Sequence, residues 1–262
     1  MNKIACVGDN CIDYYEQTGQ AFPGGNPVNV AVYTCRLGGE AAYIGAVGTD
    51  AYGDLVLQAL RGKGVDISHV QRLPGKTALT QVWVEHGERI LGDYDEGVMA
   101  DFALARADID FLCAHDLVVS GLWGKVENQL SQVAARGVPI AFDCADRPED
   151  PAAHTALRSA DIAFFSDDNP DEAALRARIR AVAAMGPRVV VATRGQAGSL
   201  AFDGERFWPF GIIACPVVDT MGAGDSYIAG FLLAFLEKRG IAACMEAGAR
   251  ASAFTIGYAG AW

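Results

Sequence analysis

The chain has 262 residues, of which 51% are hydrophobic and 20% are charged, and its formal net charge is −11. This composition excludes a disordered polypeptide and is typical of a globular protein with a large apolar core. The net negative charge repels phosphate backbones, so we expect no nucleic-acid partner.

Cysteine usage and apolar runs bear on the cellular compartment. The seven cysteines are scattered along the chain, and no two of them have C-x-x-C spacing. Together with the lack of a signal-peptide pattern, this usage predicts a reducing, cytoplasmic setting. The longest apolar stretch considered, residues 226–236, is too short to span a bilayer, so we expect no membrane association.

Short apolar runs alternate with longer segments of helical period along the chain. The runs predict strands that are buried on both faces, at residues 4–7, 117–119, 140–142, 162–165 and 189–192. The longer segments predict helices at residues 26–36, 53–63, 126–136, 171–185, 224–238 and 242–258. Strand followed by helix, repeated, indicates an α/β fold with a mostly parallel sheet. We expect one domain, with ligands beyond the carboxyl ends of the strands.

One region breaks this alternation. Residues 77–85 form a β-rich run, His86-Gly87 supplies a turn, and residues 89–94 return as a partner strand. With segments near residues 13–22 and 41–47, this hairpin predicts a small β-sheet outside the main one, extending to residue 96. It is either a lid over the strand ends or an ordinary edge hairpin, and periodicity favours neither.

The helix predicted at residues 224–238 is preceded by the string Asp219-Thr220-Met221-Gly222-Ala223-Gly224-Asp225. Small residues at a helix start leave N–H groups free, and the helix dipole adds partial positive charge, which suits a phosphate. Asp225 could take a proton from an attacking hydroxyl or simply cap the helix, and the whole string favours the first role. The string lacks the Gly-Lys-Ser/Thr ending of a Walker A loop.

This string resembles the C-terminal signature of the ribokinase-like (PfkB) carbohydrate kinases. The other motifs of that family also have counterparts here and occur in the same order. They are Asp13, Gly24-Gly25-Asn26-Pro27-Val28-Asn29-Val30-Ala31, Gly45-Ala46-Val47-Gly48-Thr49-Asp50-Ala51-Tyr52-Gly53 and Thr193-Arg194-Gly195. The resemblance spans nearly the whole chain and implies a three-layer α/β/α fold, ATP and Mg²⁺ as cofactors, and phosphorylation of a small sugar.

The resemblance also implies a role for each matched residue. Asp225 would be the catalytic base, and the N–H groups of Gly222, Ala223 and Gly224 would form the anion hole. Sugar hydroxyls would be bound by Asp13, Gly25 and Asn29, while ATP would lie along Thr193, Gly195, Thr220, Gly224 and residues 249–257.

Two positions bear on metal binding. Many family members carry N-x-x-E after the strand that corresponds to residues 162–165, whereas this chain reads Ser166-Asp167-Asp168-Asn169-Pro170-Asp171-Glu172. Acidic residues there could act on Mg²⁺ through water or only begin a helix, so the Mg²⁺ ligands stay unassigned. Asp219 is a candidate for a monovalent-cation site, such as one for K⁺, as in some relatives.

A closer resemblance indicates the substrate. Residues 8–13, 92–102 and 257–262 resemble a group within the family that phosphorylates the 6-hydroxyl of fructoselysine. Asp93, Asp95 and Glu96 in the expected lid could face the secondary ammonium of that substrate or only contact solvent. Fructose, an aminoimidazole riboside or a nucleoside are alternative substrates, and a non-catalytic sugar sensor is a further alternative. By analogy with relatives, we expect a homodimer formed through the lids.

Overall fold

The computed structural model describes residues 2–85, 88–258 and 260–262, which form strands and helices in alternation. The strands are β1 (Lys3–Val7), β2 (Cys11–Tyr15), β3 (Gln20–Gly24), β4 (Glu40–Ile44), β5 (Ala46–Gly48), β6 (Gln71–Leu73), β7 (Leu79–Glu85), β8 (Glu88–Asp95), β9 (Leu117–Gly121), β10 (Ile140–Asp143), β11 (Ile162–Ser166), β12 (Val189–Thr193), β13 (Ser199–Phe202) and β14 (Phe207–Phe210). The helices are α1 (Asn26–Arg36), α2 (Ala51–Gly62), α3 (Arg106–Leu112), α4 (Leu130–Ala134), α5 (Pro151–Leu157), α6 (Glu172–Ala183), α7 (Ala223–Leu236) and α8 (Ile241–Thr255).

The central sheet has eight strands in the order β14-β13-β12-β11-β10-β9-β1-β4. The strands from β12 to β4 are parallel, and β13 and β14 extend the sheet in antiparallel pairing. All five strands predicted from apolar runs lie in this sheet. Because parallel strands are covered by helices on both faces, their sequences read as continuous apolar runs, and that feature made them recognisable.

Side chains that alternate along each strand divide the core between the two faces of the sheet. On β1, for example, Ile4 and Cys6 pack with α1, α2, α7 and α8, whereas Ala5 and Val7 pack with α3 to α6. This arrangement is the predicted three-layer α/β/α fold. All four of these strand side chains are fully buried, which fixes the register of β1 against its neighbours.

The predicted helices are present; α1 has the predicted bounds, and those of the other five differ. Only Leu130–Ala134 is helical within the segment predicted at residues 126–136, and the side chain of Gln129 just before it bonds to both backbone groups of Leu104. The helices α3 and α5 were not predicted. Each has seven residues, too short for a helical period to stand out in the sequence.

A second sheet, with the order β3-β2-β7-β8, begins directly after β1 and is hereafter called the lid sheet. It contains the segments predicted near residues 13–22 and 77–96, while the predicted turn at His86-Gly87 lies outside the described residues. The prediction that residues 41–47 belong to it is wrong. The strand β4 pairs with β1 at the edge of the central sheet, and β5 pairs with β6 in a separate sheet. The four buried residues at the end of β4 cover core surface that a lid strand would leave exposed.

No helix in the described part of the chain is long and apolar enough to cross a membrane. Each of the seven cysteines is a free thiol, and Cys6, Cys144 and Cys244 are buried as small core residues.

Candidate active site

The loop before α7 presents free backbone donors. Gly222 occupies the position before the helix in a left-handed conformation, with φ of 73°. A Cβ there would lie 2.4 Å from the hydroxyl of Tyr33, so only glycine fits. No described residue accepts a hydrogen bond from the N–H of Gly222 or Gly224, whereas the N–H of Ala223 donates to the carbonyl of Thr220 at 3.3 Å. Two of the three predicted anion donors are therefore free in this conformation.

Two amides from α1 hold the carboxylate of Asp225. Nδ2 of Asn26 donates to its Oδ1 and Nδ2 of Asn29 donates to its Oδ2, each at 2.7 Å. The side chain of Asn29, predicted to contact the sugar, thus contacts Asp225. Asn26 was not predicted as a site residue. A signal was available, because residues three apart on a helix lie on the same face.

Asp225 is one of three neighbouring carboxylates. Asn26 also donates to Oδ2 of Asp143 at 2.8 Å, so one amide joins Asp143 to Asp225. Burial raises the pKa of Asp225 to about 6, although both amides act in the opposite direction. Burial, and then the charge of Asp225, raise the pKa of Asp143 to about 7. Burial likewise raises the pKa of Asp9, which is only 7% exposed, to about 6. At neutral pH Asp225 is mostly ionised, as a base must be.

The predicted sugar-binding residues come together where the lid sheet meets α1. Asp13, on β2, lies beside Gly24, where a Cβ would meet its Oδ2 at 2.8 Å. Gly25 precedes α1 with φ of 109°, and a Cβ there would lie 2.8 Å from the Cα of Asn10. The N–H of Asn29 donates to the carbonyl of Gly25 at 2.9 Å. Asp13 from β2 and Gly25 and Asn29 from the start of α1 therefore line one corner of the site.

Two predicted nucleotide residues line a second part of the site, a cavity of about 430 Å³ at the ends of β11 and β12. Its walls include Ser166, Asp168, Thr193, Arg194 and Gly195. Nε of Arg194 is buried and has no hydrogen-bond partner among the described residues. A buried, unpartnered cationic donor suits an anionic group such as a phosphate. Of the other residues predicted along ATP, Thr220 and Gly224 belong to the loop before α7 and its start.

An arginine organises the segment in which N-x-x-E is missing. The guanidinium of Arg178 contacts Asp167 at 2.9 Å and Glu149 at 2.6 Å, and it lies over the ring of Phe165. Burial acts to raise the pKa of Asp167, but Arg178 and the N–H of Asn169 more than offset it and hold that pKa below its ordinary value. Asp167 is therefore a fixed anion at the wall of the cavity.

Asp219, the candidate residue for a monovalent-cation site, holds the loop before α7 through hydrogen bonds. Its Oδ1 accepts a hydrogen bond from the N–H of Met221 at 3.0 Å, and its Oδ2 accepts one from the N–H of Gly260 at 2.8 Å. These bonds tie the loop to residues 260–262. The described residues contain no group of three or more His, Cys, Asp or Glu side chains that could hold a metal ion.

The three acids predicted in the lid have different surroundings. Asp93 and Asp95 line a cavity of about 560 Å³ between the lid sheet and the start of α2. Glu96 instead pairs with Lys125 at 2.9 Å and bridges the lid sheet to the loop after β9. Glu96 is thus the one of the three acids that already has a cationic partner in the described chain.

Comparison with known proteins agrees with this arrangement of the loop before α7, Asp225 and the lid sheet. The model of the pfkB family carbohydrate kinases matches residues 1–262. The chain belongs to the pfkB family of carbohydrate kinases. It is 45% identical to the fructoselysine 6-kinase of Shigella flexneri over 262 residues, which is the whole of both chains. It is 33% identical to the fructosamine kinase FrlD of Bacillus subtilis, covering 99% of this chain and 93% of that protein.

The fold has a close structural counterpart. The ribokinase of Arabidopsis thaliana, solved with ribose and ATP, superimposes with a TM-score of 0.90 at 23% identity. The match covers 99% of this chain and 93% of that chain. Similarity at this level of identity establishes the ribokinase-like fold, and the kinase activity follows from the family.

Proposed function

We propose that this kinase transfers the γ-phosphoryl group of ATP to the 6-hydroxyl of fructoselysine, giving fructoselysine 6-phosphate and ADP. The geometric observation that carries the proposal is Asp225, an ionised carboxylate beside the free N–H groups of Gly222 and Gly224. The choice of sugar is supported by the 45% identity to a fructoselysine 6-kinase over the whole chain.

In this reaction Asp225 takes the proton of the 6-hydroxyl. The 6-oxygen bonds to the γ-phosphorus while the bond from that phosphorus to the bridging oxygen breaks, and its electron pair leaves with ADP. The N–H groups of Gly222 and Gly224 and the start of α7 face the charge that develops on the transferred group. Asn26 and Asn29 keep the carboxylate aligned by occupying one lone pair on each oxygen.

The nucleotide lies along the cavity at the ends of β11 and β12 in this proposal. Thr193, Gly195 and the unpartnered Nε of Arg194 line its phosphates. The adenine ring of the nucleotide lies against the end of α8, where Val217, Val218 and Phe254 are among the exposed large apolar side chains. The N–H of Val218 donates to the carbonyl of Ile256, which holds the two segments side by side.

Magnesium ion fits this cavity through water and phosphate rather than through a protein cage. Asp168 is an exposed acid in the cavity wall, and Asp167 is fixed beside it by Arg178. Because Mg²⁺ keeps several waters and one or two carboxylates suffice, these two acids would hold it. When bound, the ion supplies charge neutralisation at the phosphate oxygens. A monovalent cation at Asp219 stays a prediction.

Asp13, Gly25 and Asn29 contact the sugar in this proposal, with one qualification for Asn29. Its Nδ2 already donates to Asp225, and its Oδ1 accepts a hydrogen bond from Trp262 at 2.7 Å, so only its second N–H is free for a hydroxyl. The ammonium of fructoselysine is placed near Asp93 and Asp95, the two lid acids that line an open cavity.

The test is a coupled ADP-release assay with fructoselysine, psicoselysine, fructose and an aminoimidazole riboside. We expect fructoselysine to have the highest kcat/KM, with the phosphate located on O6 by NMR of the product. A higher kcat/KM for any other member of the panel would refute the substrate assignment. Replacing both Asp93 and Asp95 by Asn should lower the preference for fructoselysine over fructose. An unchanged preference would remove the ammonium role of these acids.

Two further properties belong to this proposal. The seven free thiols suit a reducing compartment, and we place the enzyme in the cytoplasm. We also infer that two copies pair through their lid sheets, whose edge strands β3 and β8 leave backbone groups for a partner strand.

A further inference from the structure

Residues 260–262 lie across α1 and the loop before α7, beside the site. The N–H of Gly260 donates to Asp219, and the hydroxyl of Tyr33 donates to the carbonyl of Ala261. Nε1 of Trp262 donates to Oδ1 of Asn29 at 2.7 Å, across a sequence separation of 233 residues. The ammonium of Lys63 lies 5.5 Å from the centre of the Trp262 ring, a distance at which it attracts the ring face.

The indole fixes which way the amide of Asn29 faces. An indole N–H can only donate a hydrogen bond, so the amide atom opposite it must be the oxygen. The NH₂ group is then directed at Asp225, where it donates to Oδ2 at 2.7 Å. Asn29 is 6% exposed, so no bulk water is available to satisfy the amide in the reversed orientation. The hydrogen bonds from Trp262 to Asn29 and from Asn29 to Asp225 thus form a chain that ends on the carboxylate.

The other oxygen of Asp225 is held in a similar way. Asn26 donates to Oδ1, and its amide orientation is fixed by Asp143, an acceptor that requires the NH₂ group on that side. Each amide that holds the base therefore has its own anchor. The anchor of Asn26 is a carboxyl group on the core strand β10, whereas the anchor of Asn29 is an indole donor in residues 260–262.

We propose that Trp262 is a positioning residue of this kinase: its indole N–H fixes the amide of Asn29 as a donor to the catalytic base. The inference rests on the proposed role of Asp225. Without the indole N–H, Asp225 alone orients the amide, and the buried oxygen of Asn29 loses its hydrogen-bond donor. The base is then less well held, and its ionised form is less favoured.

The first test compares two ways of removing the indole N–H. One is Trp262→Phe, and the other places 3-benzothienylalanine at position 262, which keeps the shape and has sulfur in place of N–H. The matched control is Tyr258→Phe, which removes a hydroxyl that donates to Ala261 at 3.1 Å but does not contact Asn29. Each protein is assayed with fructoselysine from pH 5 to 9, and its thermal unfolding is recorded.

Loss of one hydrogen bond to the charged form predicts the size of the effect. Both changes at position 262 should move the acidic limb of the kcat/KM profile up by roughly half a pH unit, which lowers kcat/KM about 1.5-fold at pH 6.5 and about threefold well below pH 6. The KM values for ATP and for fructoselysine should stay within about twofold of those of the wild type. Tyr258→Phe should leave the limb in place. If the benzothienyl protein has the wild-type profile, the inference is wrong, even if Trp262→Phe unfolds.

A second test asks whether Trp262 acts through Asn29. Asn29→Ala should shift the limb by itself, and adding Trp262→Phe to it should produce no further change. Additive effects would show that Trp262 acts by another route and would overturn the inference. Failure of the proposed function looks different: wild-type enzyme would not turn over fructoselysine, or Asp225→Asn would keep its kcat. Neither result is produced by a fault in the Trp262 argument alone.

Discussion

Substituting Asp225 by Asn is the most direct test of the site, because it keeps the size of the side chain and removes the base. A positioned general base contributes on the order of 10²–10⁴ to the rate, so kcat should fall by about that factor. Substrate binding should change little, since the sugar contacts of Asp13 and Gly25 do not involve Asp225. The KM for each substrate is therefore expected to stay within about threefold.

The pH dependence of the wild-type rate provides a second quantitative prediction. With a pKa of about 6, Asp225 is roughly nine-tenths ionised at pH 7 and only about a tenth ionised at pH 5. Because only the ionised form takes the proton, kcat/KM for the sugar, which reports the free enzyme, should fall about tenfold as the pH drops from 7 to 5. In Asp225→Asn the remaining activity should lose this acidic limb.

The assay is steady-state ADP release with the concentration of each substrate varied while the other is saturating, and calorimetry confirms that each variant still binds nucleotide. The control is Asp101→Asn, which removes an exposed carboxylate from the 3₁₀ turn Gly97–Asp101 and should leave kcat unchanged. The reasoning is refuted if Asp225→Asn retains more than about a tenth of the wild-type kcat, or if its residual activity keeps the limb near pH 6.

Three further predictions concern the loop, the nucleotide cavity and the sugar corner. Gly222→Ala should lower the free energy of unfolding in urea by roughly 1–3 kcal/mol, because φ is 73° and the new Cβ meets Tyr33. Gly224→Ala should be tolerated, because no atom lies within 4 Å of its Cβ. Equal losses of stability in the two variants would contradict the strain argument. Arg178→Met should raise the KM for ATP about tenfold and leave that for the sugar unchanged, because the cavity wall loses its anchor; an effect on the sugar KM alone would place the arginine elsewhere in the reaction. Asp13→Ala should raise the KM for the sugar by about 10–100-fold, as expected for a lost charged hydrogen bond, and calorimetry with ATP is the matching control.

The strands and the loop before α7 were predictable from the sequence because local physics decides both. A strand buried on both faces must be apolar throughout, and a close turn at the head of a helix needs small residues. Asp225 was placed at the start of α7 on the same grounds, and the structure puts it in the first turn of that helix. Its role as base, like the roles of Asp13, Gly25, Thr193 and Gly195, stays a prediction.

Other parts of the site depend on contacts that no local pattern records. Asn26 and Asn29 reach Asp225 across sequence separations of 199 and 196 residues. The placement of residues 41–47 failed for a similar reason, since a short apolar strand suits either sheet until its partner is known. The pairing of Arg178 with Asp167 was also not predicted, because an arginine within a helix usually faces solvent.

The sequence by itself determined the five apolar strands of the central sheet, the glycine-lined loop before α7 and the resemblance to the family, because each depends on residues that are neighbours along the chain. Only the tertiary structure decided how the carboxylate of Asp225 is held and charged. Its pKa is set by burial and by two amides from α1, and one of those amides accepts a hydrogen bond from Trp262. Such long-range contacts form only when the sheet has brought distant segments together, because their energies depend on distance in space and not on position in the chain.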